Sequence, residues 1–179
     1  MNEAKSLNVL GALSLAIADE MKLAASQAAE AGPAAPAALA LLLHSPGRTI
    51  DWLSGALDLS HSATVRLADR LEAEGWLARG AAGHDGRAVA LTLTADGKKR
   101  ARAVLNERRK VLTPLLRALT GEEKRVFAEL LDKLIVVFAR ETGCNLDHVC
   151  RLCDESDCPE RVCPLSCAIQ ARAGLTGAG

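Results

Sequence analysis

The chain of 179 residues is 49% hydrophobic and carries 22 basic and 22 acidic side chains, so its overall charge indicates no particular partner. With two Trp, two Phe and no Tyr, it lacks the aromatic surfaces on which single-stranded nucleic acids stack. No apolar run approaches the ~20 residues of a membrane span and the N-terminus has no signal-peptide layout, so we expect a cytoplasmic protein without a membrane partner.

The first quarter of the chain predicts two helices. Apolar residues recur every three or four positions between Leu7 and Met21, which places them on one face of a helix over about 5–30. Pro36 favours the first turn of a second helix, which runs to Leu43 before a turn signal.

The next segment predicts two short helices joined by a tight link. Thr49 is placed to cap a helix that ends at Leu57, and Ser60 is placed to cap a helix over 62–74. Gly75 suits the left-handed residue that ends such a helix. This arrangement is typical of a helix-turn-helix.

The hydrophobic period then changes to two. A short strand from Trp76 to Arg79, a glycine-rich loop over 80–86 and an alternating strand over 88–93 predict a hairpin, here called the wing. Two longer helices follow. The first begins at Thr94 and runs to about Thr113. The second begins at a capping-box pattern after Thr120, has a wide apolar face over 126–138 and ends at Gly143.

The middle of the chain is basic although the whole chain is neutral. Between residues 60 and 110, eleven Lys and Arg oppose six Asp and Glu, a net charge of +5, which indicates a site for a polyanion. Solvated helix faces would give the same count. Because a helix fits the major groove of DNA, the helix after Ser60 would present its N-terminal side chains to base edges.

The predicted DNA contacts fall into three groups. Polar side chains at the helix start would read bases, nearby arginines would reach phosphates, and an arginine at the wing tip would enter the minor groove, oriented by the aspartate beside it. The alternative for the wing tip is an exposed ion pair of little consequence. The predicted residues are Ser60, His61, Ser62, Thr64, Arg66, Arg70, Arg79, His84, Asp85 and Arg87.

These segments resemble the multiple antibiotic resistance regulator (MarR) family. The matching motifs are Leu59-Ser-His-Ser-Ala-Thr-Val-Arg-Leu-Ala-Asp-Arg-Leu-Glu-Ala-Glu-Gly75, Asp85-Gly-Arg-Ala88 and Leu91-Thr-Leu-Thr-Ala-Asp-Gly97. The family's Asp-x-Arg wing signature falls on Asp85 and Arg87. A weaker resemblance extends over residues 7–140. The wing departs from the family at 80–83, where Gly-Ala-Ala-Gly replaces more basic residues.

The resemblance implies a mainly α fold with a small β-hairpin wing (α+β), a triangular homodimer that binds double-stranded DNA. The winged helix would occupy about 47–95, with dimerisation helices over about 5–30 and 95–141 completing a domain of residues 1–143. Family members commonly repress transcription and release DNA when a small-molecule effector or an oxidant changes the spacing of the two DNA-binding lobes. Two copies would read a near-palindrome with half-sites about one helical turn apart.

All six cysteines lie in a separate tail over 144–179. The spacing C-x2-C-x4-C-x4-C predicts a metal site formed by Cys150, Cys153, Cys158 and Cys163, with Cys144 and Cys167 as alternates. The spacing matches a zinc knuckle that has Cys in place of His, so zinc is the first choice. Two Cys-Pro pairs favour an iron–sulfur cluster instead, and free redox thiols are the third alternative. His148 is interpreted as a solvated tail residue.

Two other functional classes compete with a DNA-binding regulator. The first is a metal or redox enzyme, which is disfavoured because no nucleophile–base pair, phosphate loop or acid dyad stands out. The second is a metal or redox protein whose winged helix is only a protein-interaction module. Arg66, Arg79 and Arg87 favour DNA over that second class.

Overall fold

The computed structural model describes residues 2–81, 89–143 and 145–168. The predicted fold class is confirmed: the described chain is mostly helical, with one small antiparallel sheet of two strands. Its elements are α1 (Glu3–Ala29), α2 (Ala35–His44), α3 (Ile50–Leu57), α4 (His61–Ala73), β1 (Leu77–Ala81), β2 (Val89–Leu93), α5 (Ala95–Arg117), α6 (Gly121–Thr142), α7 (Leu146–Val149) and a 3-10 turn (Glu160–Val162).

The core forms around α2, which is buried from Ala35 to Leu42. The C-terminal end of α1, the inner faces of α3 and α4, the wing strands and the middle of α5 pack around it. Leu39, Leu53 and Leu71 are fully buried at the junction of these helices. The core therefore holds the helix-turn-helix and the wing on one side of α2 and α5.

The helix boundaries follow the capping residues. Thr49, Ser60 and Thr94 each accept a hydrogen bond from a backbone N–H in the first turn of the helix that follows. Thr120 and Glu123 form the reciprocal capping box that begins α6. The predicted start of each of these helices is thus confirmed to within a residue or two.

Helix α5 is longer than predicted, because it continues through Pro114 to Arg117. A proline inside a helix leaves one carbonyl group without its usual N–H partner. The hydroxyl of Thr113 donates to the backbone carbonyl of Arg109 at 2.7 Å, one turn back. The carbonyl that Pro114 leaves without an N–H donor is that of Lys110, the next residue, so the Thr113 bond lies beside the gap and does not fill it.

The base of the wing is hydrogen-bonded to Thr94, before the start of α5, and packs closely against Gly97. The Thr94 backbone N–H donates to the Trp76 carbonyl at 3.0 Å, and the Thr94 hydroxyl donates to the Gly75 carbonyl at 2.7 Å. A Cβ added to Gly97 would lie 2.0 Å from the Trp76 carbonyl oxygen. Only glycine therefore allows α5 to approach the base of the wing this closely.

Helix α6 stands apart from this core. Among its residues 121–142, all of them described, none is buried. Seven of its large apolar side chains are between 38% and 56% exposed, and the outer half of α1 is similarly exposed from Leu7 to Leu15. Within the described ranges, no helix is both long and apolar enough to span a bilayer.

Candidate DNA interface and cysteine pocket

The start of α4 presents polar side chains to solvent. Ser60 is the N-cap and accepts from the backbone N–H of Ala63 at 3.2 Å. His61, Ser62 and Arg66 are exposed beyond it. Arg66 forms no hydrogen bond or ion pair with another residue that the structure describes. This end of α4 therefore offers donors and one uncompensated cation to a partner.

His61 pairs with a residue that the sequence did not single out. Its Nδ1 lies 2.8 Å from Oδ1 of Asp51, on the preceding helix, and the two side chains are 65% and 84% exposed. An exposed pair of this kind contributes little to stability. Asp51 therefore orients the imidazole without burying it.

The prediction that Thr64 contacts DNA is wrong. Thr64 is fully buried, and its hydroxyl donates to the Ser60 carbonyl at 3.1 Å. It lies on the face of α4 that packs on the core, because its position is three residues before the buried Leu67. Its role is to tie the first turn of α4 to its cap.

The two arginines predicted to reach phosphates are engaged inside the chain. Arg70 donates to the Ala31 carbonyl at 2.8 Å and so joins α4 to the link before α2. Arg79 lies on β1 and bonds Asp69 at 2.6 Å and Glu72 at 2.9 Å, both on α4. Both arginines therefore brace the winged helix, and two carboxylates neutralise the charge of Arg79. Their predicted contacts with phosphates stay predictions.

The predicted wing-tip contacts His84, Asp85 and Arg87 lie outside the described residues and stay predictions. The base of the wing is described. Its strands pair from Leu77 with Leu93 to Ala81 with Val89.

A third segment adds to the wing from the side opposite β1. The Gly47 N–H donates to the Leu91 carbonyl, and the Leu91 N–H donates to the Arg48 carbonyl, both at 2.8 Å. The Arg48 guanidinium then lies 5.0 Å from the centre of the Trp52 ring, a cation–π distance. No sequence signal predicts this arrangement, since a lone arginine before a cap has many uses.

The predicted metal ligands share one pocket. Cys150, Cys153, Cys158 and Cys163 line a cavity of about 270 Å³ together with Arg48 and Ser45 from the turn before α3, among other residues. Cys153 contributes to the raised pKa of Cys150, and Cys163 contributes to the raised pKa of Cys158, so the thiols of each pair lie close together. Thiolates at one site are the donors that zinc and iron–sulfur clusters take in proteins. The donor chemistry therefore fits either group.

The thiols differ in how readily they ionise. The hydrogen bond with Cys150 lowers the pKa of Cys153 to about 7, with a smaller contribution from the nearby Arg108. The same bond raises the pKa of Cys150, and burial raises the pKa of Cys158. Of this pair, Cys153 is consequently the thiol that more readily ionises.

The metal prediction remains untested. Among the described residues, no three Cys, His, Asp or Glu side chains already stand in a metal-binding arrangement. Metal binding would therefore need these side chains to move closer together within their shared pocket. Of the alternates, Cys167 is exposed and its thiol lies 3.6 Å from the Arg161 carbonyl oxygen, whereas Cys144 lies outside the described residues.

The tail is docked on the helix-turn-helix and not solvated, which corrects the interpretation of His148. The ring Nδ1 of His148 donates to the Ala56 carbonyl at 3.2 Å, and Asn145 Nδ2 donates to the Gly55 carbonyl at 3.2 Å. Both carbonyls belong to the last turn of α3. Leu152 packs against the core beside these contacts.

A second set of contacts joins the tail to α2 and α5. Arg109 on α5 donates to Asp154 at 3.2 Å and also pairs with Asp157. His44 Nε2, at the end of α2, accepts from the Glu155 backbone N–H at 3.3 Å. A hydrogen bond from the Ser156 hydroxyl, with the nearby His44 and Arg109 among the weaker causes, lowers the pKa of Asp154. The tail is thus bonded to α3 through one set of contacts and to α2 and α5 through the other.

Comparison with known sequences gives a consistent picture. The model of the MarR family matches residues 32–88. Over 83 residues, which are 46% of this chain and 47% of the relative, the sequence is 36% identical to the transcriptional repressor MprA of Escherichia coli (strain K12). The chain spans between 47% and 62% of the length of the curated relatives that it matches.

Solved structures match over a longer range. A MarR family protein from Bacillus stearothermophilus is 30% identical, with a TM-score of 0.61, and the match covers 78% of this chain and 99% of that one. A MarR family protein from Mycobacterium tuberculosis, solved in complex with DNA, is 25% identical with a TM-score of 0.55, and the match covers 75% of this chain and 98% of that one.

Proposed function

This chain belongs to the MarR family, whose members regulate transcription and are not enzymes, and from that premise we propose that it is a DNA-binding regulator that acts as a homodimer. The observation that carries the proposal is the exposed start of α4. His61, Ser62 and Arg66 face solvent there, and Arg66 has no counter-charge among the described residues. The DNA complex of the Mycobacterium tuberculosis relative supports the same partner.

The homodimer follows from the apolar surface of α6 and α1. An amphipathic helix is stable when its apolar face is covered, and the described part of one chain leaves α6 uncovered. Phe127, Leu130 and Leu134 are 38%, 48% and 53% exposed, so covering what remains would contribute about half of the ~1.5–3 kcal/mol of full burial for each, and their neighbours extend the same surface. A second copy can cover this surface symmetrically, because the same helix faces meet across a two-fold axis.

Repression is the sign of regulation that we propose, on the analogy of the Escherichia coli relative. A small-molecule effector that regulates DNA binding is part of the same proposal. A cavity of about 390 Å³ lies between α2, α5 and the tail, with Leu43, Arg102, Asn106 and Asp154 in its walls. This volume suits a small organic molecule, and its polar groups would fix the orientation of such a ligand.

Selection from a random-sequence pool of duplex DNA tests the regulator directly. The full-length protein is expected to enrich a near-palindrome with half-sites about one helical turn apart. Sedimentation of the enriched duplex with the protein should give two chains per duplex. Failure to enrich any sequence, or one chain per duplex, would contradict the proposal.

For the tail, we propose a metal site formed by Cys150, Cys153, Cys158 and Cys163, with zinc as the first choice and an iron–sulfur cluster as the alternative. A transcription regulator works in the cytoplasm, where thiols stay reduced and free to ligate. The support is that these side chains line one pocket and already interact in pairs. Zinc would replace the thiol protons and draw the tail into one fold.

Elemental analysis of protein purified without oxygen tests this site. The expected result is about one zinc per chain with no visible colour, as a single four-thiolate site requires. Cys158→Ser should lose the metal, whereas Cys167→Ser should keep it. Iron with sulfide and a brown colour would show that the site holds an iron–sulfur cluster instead of zinc. Absence of any metal would refute the site and leave a thiol switch.

A further inference from the structure

The contacts between the tail and α3 have a function that metal binding alone does not explain. The carbonyl groups in the last turn of a helix have no partner within that helix, and they need caps from elsewhere. In this chain His148 caps the Ala56 carbonyl, and Asn145 gives the Gly55 carbonyl a second donor beside the Asp58 N–H. Only three residues, 58–60, separate the end of α3 from α4. The tail therefore holds the helix on which the DNA-contacting helix is positioned.

We propose that the cysteine pocket is a regulatory site for a thiophilic divalent cation such as Zn²⁺, and that its occupancy sets DNA affinity through the cap that the tail places on α3. The inference rests on the proposed DNA-binding function. The capping residues and the thiols belong to one short segment, since His148 lies two positions before Cys150. A metal ion that draws the four thiols together would therefore also move or fix the residues that cap α3.

A second contact brings the pocket to the wing. Arg48 lines the pocket, and its backbone carbonyl accepts from the N–H of Leu91 on β2. Arg48 shares this pocket with thiols that become negative when a metal binds. The pocket thus borders both parts of the winged helix, the end of α3 through the tail and the wing strand through Arg48.

The direction of the effect follows from the observed docking. The tail is held by hydrogen bonds and by surface ion pairs of Arg109 with Asp154 and Asp157, and such pairs are individually weak. A bound cation would link Cys150 and Cys153, close to the cap, to Cys158 and Cys163 and so make the docked tail more persistent. DNA affinity should therefore rise with metal, by roughly 5- to 100-fold for a typical coupling between two sites.

The test compares the full-length protein with one Zn²⁺ per chain and after removal of zinc by a chelator. Affinity is measured by fluorescence anisotropy for the duplex enriched from the random pool. The expected result is that zinc raises affinity at least about 5-fold, and that the duplex tightens zinc binding by the same factor, because coupling is reciprocal. Equal affinity with and without zinc, or a protein that takes up no zinc, would overturn the inference.

Two variants test whether zinc acts on DNA affinity through the cap on α3. His148→Ala removes one cap and keeps every thiol, so it should bind zinc while its DNA affinity no longer responds to zinc. Val162→Ala is the matched control, since Val162 is 59% exposed in the same tail, and it should respond like the unaltered chain. Circular dichroism checks that both are folded. A full zinc response in His148→Ala would overturn the inference, whereas a protein that enriches no duplex would refute the DNA-binding proposal itself.

Discussion

Replacement of Gly97 by alanine is expected to destabilise the protein by about 3 kcal/mol, the upper end of the usual cost of overpacking. The added Cβ would lie 2.0 Å from the Trp76 carbonyl oxygen and 2.9 Å from its carbonyl carbon. These are backbone atoms, and the same carbonyl accepts the Thr94 N–H that joins the wing to α5. The clash can therefore be relieved only by moving the wing away from the helix.

The measurement is thermal unfolding of the purified variant, followed by circular dichroism. For a protein of this size, about 3 kcal/mol corresponds to a fall in Tm of roughly 6–12 °C. Gly121→Ala is the matched control, because nothing lies within 4 Å of a Cβ built there and the position is the first of α6. We expect that control to be neutral or slightly stabilising. A Gly97 variant with the same Tm as the control variant would contradict the close packing of α5 against the wing.

Replacement of Arg66 by alanine is expected to lower the affinity for the selected duplex roughly 30-fold or more. The estimate takes a loss of at least about 1 kcal/mol at each of two half-sites, the lower end for a good arginine contact with DNA. Folding should be unaffected, since Arg66 is exposed and contributes no ion pair among the described residues. The affinity is measured by fluorescence anisotropy at fixed salt.

Arg125→Ala is the control for the loss of one positive charge. Arg125 lies on α6, far along the chain from the winged helix, and pairs only on the surface with Glu122 and Glu129. Its loss should change DNA affinity less than about 3-fold, because only close cations replace the counterions of the phosphates. An Arg66 variant that binds as tightly as the Arg125 variant would exclude the start of α4 from the DNA interface.

The sequence allowed the elements to be predicted because their ends carry local signals. Thr49, Ser60, Thr94 and Thr120 cap the next helix through their own hydroxyl groups, and such caps act over three residues. The pairing of β1 with β2 followed from alternation around a glycine-rich loop in the same way. These are short-range effects, and a single sequence contains all of the information that they need.

The roles of individual polar side chains were harder to predict because they depend on contacts far along the chain. Arg70 donates to a carbonyl 39 positions away, and His148 donates to one 92 positions away. Composition marked Arg70 and Arg79 only as cations near the helix-turn-helix. Their partners within the fold show that both brace the winged helix, and those partners become visible only when the helices are packed.

Thr64 illustrates a different limit. A threonine in the first turn of a DNA-contacting helix suits a base contact by residue type, yet burial is set by the helix face. Leu67, Ala68 and Leu71 define the buried face, and Thr64 precedes them at the spacing of one turn. The periodicity of α4 therefore predicts that Thr64 is buried, although its polar residue type favours an exposed position.

The measurement that tests the central claim most directly is a salt titration of the affinity of the full-length protein for its selected duplex. Binding through cations on two copies predicts that log K falls linearly with log salt concentration, with a slope of roughly −2 or steeper. A duplex bound with no dependence on salt, or no duplex bound at any salt concentration, would contradict the claim that this winged helix is a DNA-binding module.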